Sequence, residues 1–262
     1  MANAAGVNGL YFLTQSPVRV RLLEKLYDEG DAQKYELREA FDTSRVTVRR
    51  NLNALEDRDL ITISGRTCEI SPLGDVVVED VLPAVNRVHF VERLRPFVRW
   101  FPVDDLTFDI RALEDSTIVT ANESDPYAPV NRHIEAMENA DRFRCLLPAV
   151  GLPAMNVARD RVVEDGWQYE CIYTPGLAST LRNQPEYAEL VDELSEAPNC
   201  DLFIAEDRIR YYLGLFDHRV QIGVEDDNGV PKALVDTDAA EVREWAEQTY
   251  DHYLEQAEPF IP

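Results

Sequence analysis

Five side chains in the span from position 45 to 53 could contact base pairs: Arg45, Thr47, Arg49, Arg50 and Asn53, just behind Ser44. Arginine donates two parallel hydrogen bonds to guanine O6 and N7. Asparagine pairs with adenine, and threonine touches a phosphate or a thymine methyl. Such groups work together only if they share the outer side of a rigid element. Val48, Leu52 and Leu55 recur at helical spacing, which predicts an amphipathic helix capped by Ser44. The five polar residues lie off that apolar stripe, near the helix start. Glu56, Asp57 and Asp59 are confined to its far end. Charge is therefore sorted along one helix, whereas an ordinary surface helix favours acidic residues in its first turn.

The elements before and after would set this helix in place. Ser16-Pro17 starts a helix carrying Val18, Leu22, Leu23 and Leu26 inward and ending at Gly30. A short second helix fits Tyr35–Phe41, with Leu37, Ala40 and Phe41 inward. Behind the third helix, Ile61–Ser64 and Thr67–Ile70 alternate around Gly65-Arg66 and predict a β-hairpin with Arg66 at its tip. Three helices and a hairpin make residues 1–71 an α+β winged helix, with Ser44, Arg45, Thr47, Arg49, Arg50, Asn53 and Arg66 as candidate DNA contacts.

Charge divides the chain at the same place. The net charge is −23, but residues 1–71 carry −1 and residues 72–262 carry −22. The near-neutral first quarter suits the approach of a polyanion. Only three of the 26 basic residues are lysines. High acidity with almost no lysine is the signature of proteins from salt-loving microbes, where carboxylates keep a surface hydrated. At about 1 M salt the screening length is only ~3 Å, so acidity elsewhere does not exclude DNA binding. No apolar run approaches the ~20 residues of a membrane span and no secretory signal is visible, so a cytoplasmic protein is expected. Cys68, Cys145, Cys171 and Cys200 form no CxxC pair, hence no metal is expected.

Residues 72–102 are expected to form a long apolar helix, interrupted near Pro83, that links the domains and pairs two chains into a homodimer. A domain boundary is expected near Phe101-Pro102-Val103. Residues 103–262 alternate strand-like and helical runs, beginning with strands at Leu106–Ile110 and Thr117–Ala121, and read as an α/β domain. Ser124-Asp125-Pro126 is expected to cap a helix. The isolated glycines make no phosphate loop. His133, His218 and His252 lack ligand spacing, and the His-x-Lys pattern of phospholipases is missing. The chain is therefore expected not to be an enzyme and to need no cofactor. Candidates for a small-molecule effector pocket are Tyr127, Tyr173, Arg210, Tyr211 and Tyr212, which combine ring faces with polar tips. Redox sensing through Cys145 or Cys171 is a weaker option, since both lie in apolar strands.

Ser44, Arg45, Thr47, Val48 and Arg50, followed by Leu55, Glu56, Leu60 and Ile61, resemble the recognition helix of archaeal winged helix-turn-helix regulators. Asp59 stands where such helices usually carry glycine. More narrowly the chain resembles haloarchaeal regulators with a FilR1-like second domain. That similarity extends over Asp125-Pro126-Tyr127-Ala128-Pro129, Leu146-Leu147-Pro148 and Val235-Asp236-Thr237-Asp238. The resemblance implies a sequence-specific DNA-binding transcriptional regulator, a repressor by default, with a ligand-sensing C-terminal half distantly similar to phospholipase-D-like sensor domains. Two other classes fit less well. One is a non-catalytic module whose winged helix contacts proteins; the other is an enzyme with a DNA-targeting arm.

Overall fold

The structure, a computed structural model, describes residues 4–262. Its residues group into two compact units, one ending at Phe90 and one starting at Val91.

The first unit runs α1 (Ala4–Thr14), α2 (Pro17–Glu29), β1 (Asp31–Gln33), α3 (Lys34–Glu39), α4 (Arg45–Glu56), β2 (Ile61–Ser64) and β3 (Thr67–Ile70). The start of α5 (Pro72–Val98) completes it. Leu22, Leu23 and Leu26 of α2 interlock with Val48, Leu52 and Leu55 of α4, and Leu13, Leu37, Ile61 and Cys68 close the core. The strands form an antiparallel sheet in the order β1-β3-β2. Helix α1 and strand β1 were not anticipated. The hairpin is as expected, with Gly65 at φ +63° while Arg66 stays at negative φ, the pattern of a type II′ turn.

Asp59 adopts φ +55°, the left-handed conformation for which glycine is suited. Its carbonyl accepts a hydrogen bond from the Ser71 hydroxyl, which ties the exit of α4 to the start of α5. Asp59→Gly is therefore expected to raise stability by about 0.5–1 kcal/mol, read as a higher urea midpoint with unchanged slope.

Helix α5 passes through Pro83 without a break, contrary to the expected interruption. Pro83 lies on the exposed side of the helix, as does Glu79, so the carbonyl that Pro83 leaves without a helical partner is on the solvent side. The division of the chain falls inside α5 rather than near Phe101. The reason is aromatic packing: Phe101 stacks on Phe97 at 5.0 Å and meets Tyr211 at 4.7 Å, which holds the last turn of α5 in the second unit.

In the second unit Leu106–Ile110 is not a strand. Two 3₁₀ turns, Val103–Asp105 and Ile110–Leu113, flank it, the second capped by the Asp109 carboxylate. The regular elements are β4 (Thr117–Thr120), α6 (Ala128–Asn139), β5 (Arg142–Leu147), α7 (Leu152–Val163), β6 (Gln168–Tyr173), α8 (Pro175–Asn183) and α9 (Pro185–Glu196). They continue with β7 (Cys200–Ile204), β8 (Tyr212–Phe216), β9 (Val220–Glu225), β10 (Pro231–Thr237), α10 (Ala240–Gln256) and β11 (Glu258–Pro259). Ser124-Asp125 does not cap α6. The Asn122 side chain accepts from both their backbone N–H groups in a turn, and the helix begins later, behind Tyr127.

One mixed eight-stranded sheet runs β11-β7-β6-β5-β8-β9-β10-β4. Strands β5, β6 and β7 are parallel and joined by helical crossovers; the other pairings are antiparallel. Phe143, Cys145 and Leu147 face a core shared with α6 to α9. Arg144, on the opposite side of the same strand, reaches Glu247 and Asp251 of α10. Among the described residues no helix is long and apolar enough to cross a membrane.

Candidate nucleic-acid interface and a second cavity

Helix α4 is set by its cap and by one buried polar pair. The Ser44 hydroxyl accepts from the Thr47 N–H at 3.1 Å and lies 2.9 Å from the Thr47 hydroxyl, so both side chains serve the cap. On the buried stripe stands Asn51, fully enclosed. Its amide donates to the Thr47 carbonyl at 3.0 Å, and its oxygen accepts from Arg19 Nε of α2 at 3.0 Å. Arg19 also donates to the Phe12 carbonyl and lies 4.0 Å from the Phe12 ring, with Arg58 at 3.9 Å from the same ring. Burial, then the neighbouring charges of Arg50 and Arg58, pull the Arg19 pKa below its ordinary value. This link between α1, α2 and α4 was missed in the sequence. Its signal was there: Asn51 falls three residues after Val48 and four before Leu55, on the apolar side of the helix, where an unpaired amide would be costly.

Arg45, Arg49, Arg50 and Asn53 are exposed. Arg45, Arg49 and Asn53 follow one another at i, i+4 and i+8, a single ridge along the outer side. Among the described residues none of the three arginines has a carboxylate partner, and the first turn of α4 holds no acidic residue. Val46, 65% exposed, lies beside Arg50 at the same end. An apolar side chain in that position suits a thymine methyl, and the sequence reading passed over it. The helix N-terminus adds its own partial positive charge. Arg66 is exposed at the hairpin tip. The turn is fastened by Lys34, whose backbone N–H donates to the Arg66 carbonyl at 2.8 Å and whose ammonium donates to the Gly65 carbonyl at 3.0 Å. Lys34 thus brings a second cation to the tip.

The candidate effector residues do not come together. Tyr173 is fully buried and packs edge-on against Phe260 at 5.6 Å. Tyr211 is buried against Phe101 and Trp245, and Arg210 pairs with Asp105. All three belong to packing or to surface ion pairs. Tyr127 and Tyr212 do share a cavity of about 390 Å³, and His133 also lines it. His133 is half-buried, and loss of water lowers its pKa to about 4, so the ring is neutral at neutral pH. Cys145 and Cys171 lie side by side on β5 and β6 with sulfurs 2.7 Å apart. Burial pushes the Cys145 thiol up, which keeps it protonated and unreactive.

A comparison with curated proteins finds no match. Among solved structures, TrmBL2, described as an archaeal chromatin protein with a novel mode of DNA binding, is 15% identical, with 90% of this chain and 91% of that one covered and a TM-score of 0.43. NucT from Helicobacter pylori is 16% identical over 56% of this chain and 99% of its own, with a TM-score of 0.44. An ArsR family transcriptional regulator is 27% identical over 34% of this chain and 95% of its own, with a TM-score of 0.26. Residues 7–93, spanning α2 to β3 and most of α5, match the model of the HVO_A0261 N-terminal domain. Residues 126–256, half of the chain, match the model of the middle domain of the methanogenesis regulatory protein FilR1. That stretch holds α6 to α10 and the strands between them, including every element that walls the cavity, and by it the chain belongs to the FilR1 middle-domain family.

Proposed function

We propose that the protein is a transcription regulator, not an enzyme, that holds double-stranded DNA with its first unit and adjusts that grip through its second. The first unit acts as a winged helix. Helix α4 lies in the major groove with Arg45, Arg49, Arg50 and Asn53 toward the base edges, and Arg66 reaches the phosphates or the minor groove from the hairpin. One observation carries this reading: three exposed arginines, without carboxylate partners among the described residues, crowd the leading end of a helix whose acidic residues lie at its other end. Uncompensated like charge costs stability unless something anionic meets it. Family membership and the near-neutral charge of residues 1–71 point the same way.

The regulator acts as a cytoplasmic homodimer, because two-fold operators present half-sites about one helical turn apart. Exposed Val7, Leu10 and Tyr11 on α1 and Leu73 and Val76 on α5 supply an apolar surface for the second copy, in place of α5 alone. Repression by occluding a promoter is the default mode. The direct test is fluorescence anisotropy with duplex DNA from upstream of the protein's own gene. Saturable binding is expected, with log affinity falling linearly with log salt. Binding to a scrambled duplex of equal length with the same affinity would remove the claim of specificity, and no binding at low salt would remove the reading altogether.

A further inference from the structure

We propose that the cavity enclosed by α6, the start of α7 and strands β5, β8, β9 and β10 binds an uncharged, mainly apolar organic molecule. A carbonyl or comparable acceptor oxygen on that molecule takes the hydroxyl proton of Tyr212. The site deepens the regulator reading given above, yet its test does not involve DNA.

The cavity measures about 390 Å³, within the range of small-ligand pockets. It opens at the carboxyl end of β5, where the parallel part of the sheet gives way to the antiparallel part. Gaps of this kind at strand ends are where open α/β sheets take ligands. Its walls are apolar, with Pro129, Val130, Leu147, Val150, Ala154 and Leu234 contributing.

The sheet makes room for Tyr212, which lines the cavity. A Cβ placed on Gly214 would stand 2.0 Å from the Tyr212 hydroxyl, and one on Gly223 would stand 2.9 Å from its ring. Two neighbouring strands therefore lack side chains at the positions where the phenol lies down.

The surrounding hydrogen bonds fix where the protons sit. The buried Asp236 carboxylate accepts from Arg132 Nε at 2.7 Å and from Arg219 Nε at 2.6 Å. It also accepts from the Gln221 amide at 3.4 Å, which turns the Gln221 oxygen to His133 Nδ1 at 3.1 Å. Nδ1 must carry the ring proton to donate there. The Tyr212 oxygen, 2.9 Å from the same nitrogen, then stands as an acceptor. Its own proton has no acceptor among the described hydrogen bonds, and a ligand oxygen in the cavity would supply one.

Charge sets the class. No lysine or arginine lines the cavity among the described residues, and His133 is neutral. Glu225 is the one carboxylate in the lining, half-buried beside Asp226. An anionic ligand would meet that group with nothing to balance it.

Prodan, an uncharged naphthalene ketone whose emission shifts to the blue on leaving water, is the probe for the full-length protein. One molecule is expected to bind per chain with blue-shifted emission, while anilinonaphthalene sulfonate, which bears a negative charge, binds at least tenfold more weakly. Filling the cavity from either side, by Ala154→Trp on α7 or Val130→Phe on α6, is expected to abolish the shift. Each variant is checked for native circular dichroism, and the one that folds decides. Tyr212→Phe keeps the apolar walls and removes the donor; it should weaken prodan about fivefold, the worth of one hydrogen bond. Water-like emission with the wild type, or unchanged binding in a folded cavity-filled variant, would overturn the site. Equal affinity in Tyr212→Phe would overturn the acceptor-oxygen assignment. A protein that binds prodan but not DNA would sink the regulator reading alone.

Discussion

Replacing Arg45, Arg49 and Arg50 together with alanine is expected to weaken binding to the protein's own upstream duplex at least a hundredfold while leaving the melting temperature unchanged. The first half follows from contact energies. An arginine that reads a base or neutralises a phosphate is worth about 1–3 kcal/mol, and three together exceed a factor of one hundred even at the lower figure. The second half follows from the surroundings. All three side chains are exposed and, among the described residues, form no ion pair with a carboxylate, so truncation leaves no buried partner behind. Alanine is also the better helix former, which relieves rather than adds strain along α4. Single variants divide the roles. An arginine that touches only phosphate lowers affinity evenly across sequences and reduces the salt slope by about one; an arginine that reads a base relaxes preference at one position. With a net charge of −23 on the whole chain, distant repulsion is strong in dilute buffer and weak in concentrated salt. The triple variant should therefore stay impaired in molar salt, where the close contacts are what remains. Should it bind like the wild type, α4 does not read DNA, and the first unit is a protein-docking module.

What could be read from the chain beforehand divides by the range of the forces involved. Helix α4 and the β2–β3 hairpin were legible because Val48, Leu52 and Leu55 keep one period and Ile61 to Ile70 another, each with its cap or turn residue in place. Helix α1 was not. Gly6 and Gly9 weaken it, it holds no charged residue in its first or last turn, and it buries only Leu13. Strands β1 and β11 are three and two residues long, too short to show any period. The five residues of Leu106–Ile110 alternate in character, and Phe108 is indeed buried, but no neighbouring strand pairs with them. The effector residues show the same limit. Tyr211 and Tyr212 are adjacent and chemically alike, yet neighbouring residues at a strand point to opposite sides, so only one can face the cavity. The spacing of His133 told only that it is not part of a histidine ligand set. It is satisfied, by partners from β8 and β9 that lie 79 and 88 positions away in the chain, which no local spacing announces.

His133 also supports the second large effect, a loss of stability in mild acid. The ring packs against Phe143, Tyr212 and Phe216, and its polar contacts are Gln221 and the Tyr212 hydroxyl; among the described residues no carboxylate touches it, since Asp236 stands behind Gln221. The Gln221 oxygen offsets only part of what a positive charge loses with its water, and desolvation takes the pKa from 6.5 down to about 4. Between those two values the unfolded chain binds a proton that the folded chain refuses. Stability therefore rises with pH across this window and is lost as pH falls through it. The depression corresponds to about 3 kcal/mol, fully present above the unfolded pKa and gone below the folded one. Other carboxylates titrate near the lower edge, so the measurement is a difference: urea midpoints of the wild type and of His133→Gln at intervals from pH 7 to pH 4. The wild type should lose about 3 kcal/mol more than the variant over that range. Glutamine keeps an amide that can donate to the Gln221 oxygen, so the variant tests the titration rather than the hydrogen bond. Parallel curves would mean that the ring is charged or solvated in the folded state. In a solvated ring the Nδ1 proton would no longer be fixed by Gln221, and with it would go the reason for leaving the Tyr212 proton to a ligand.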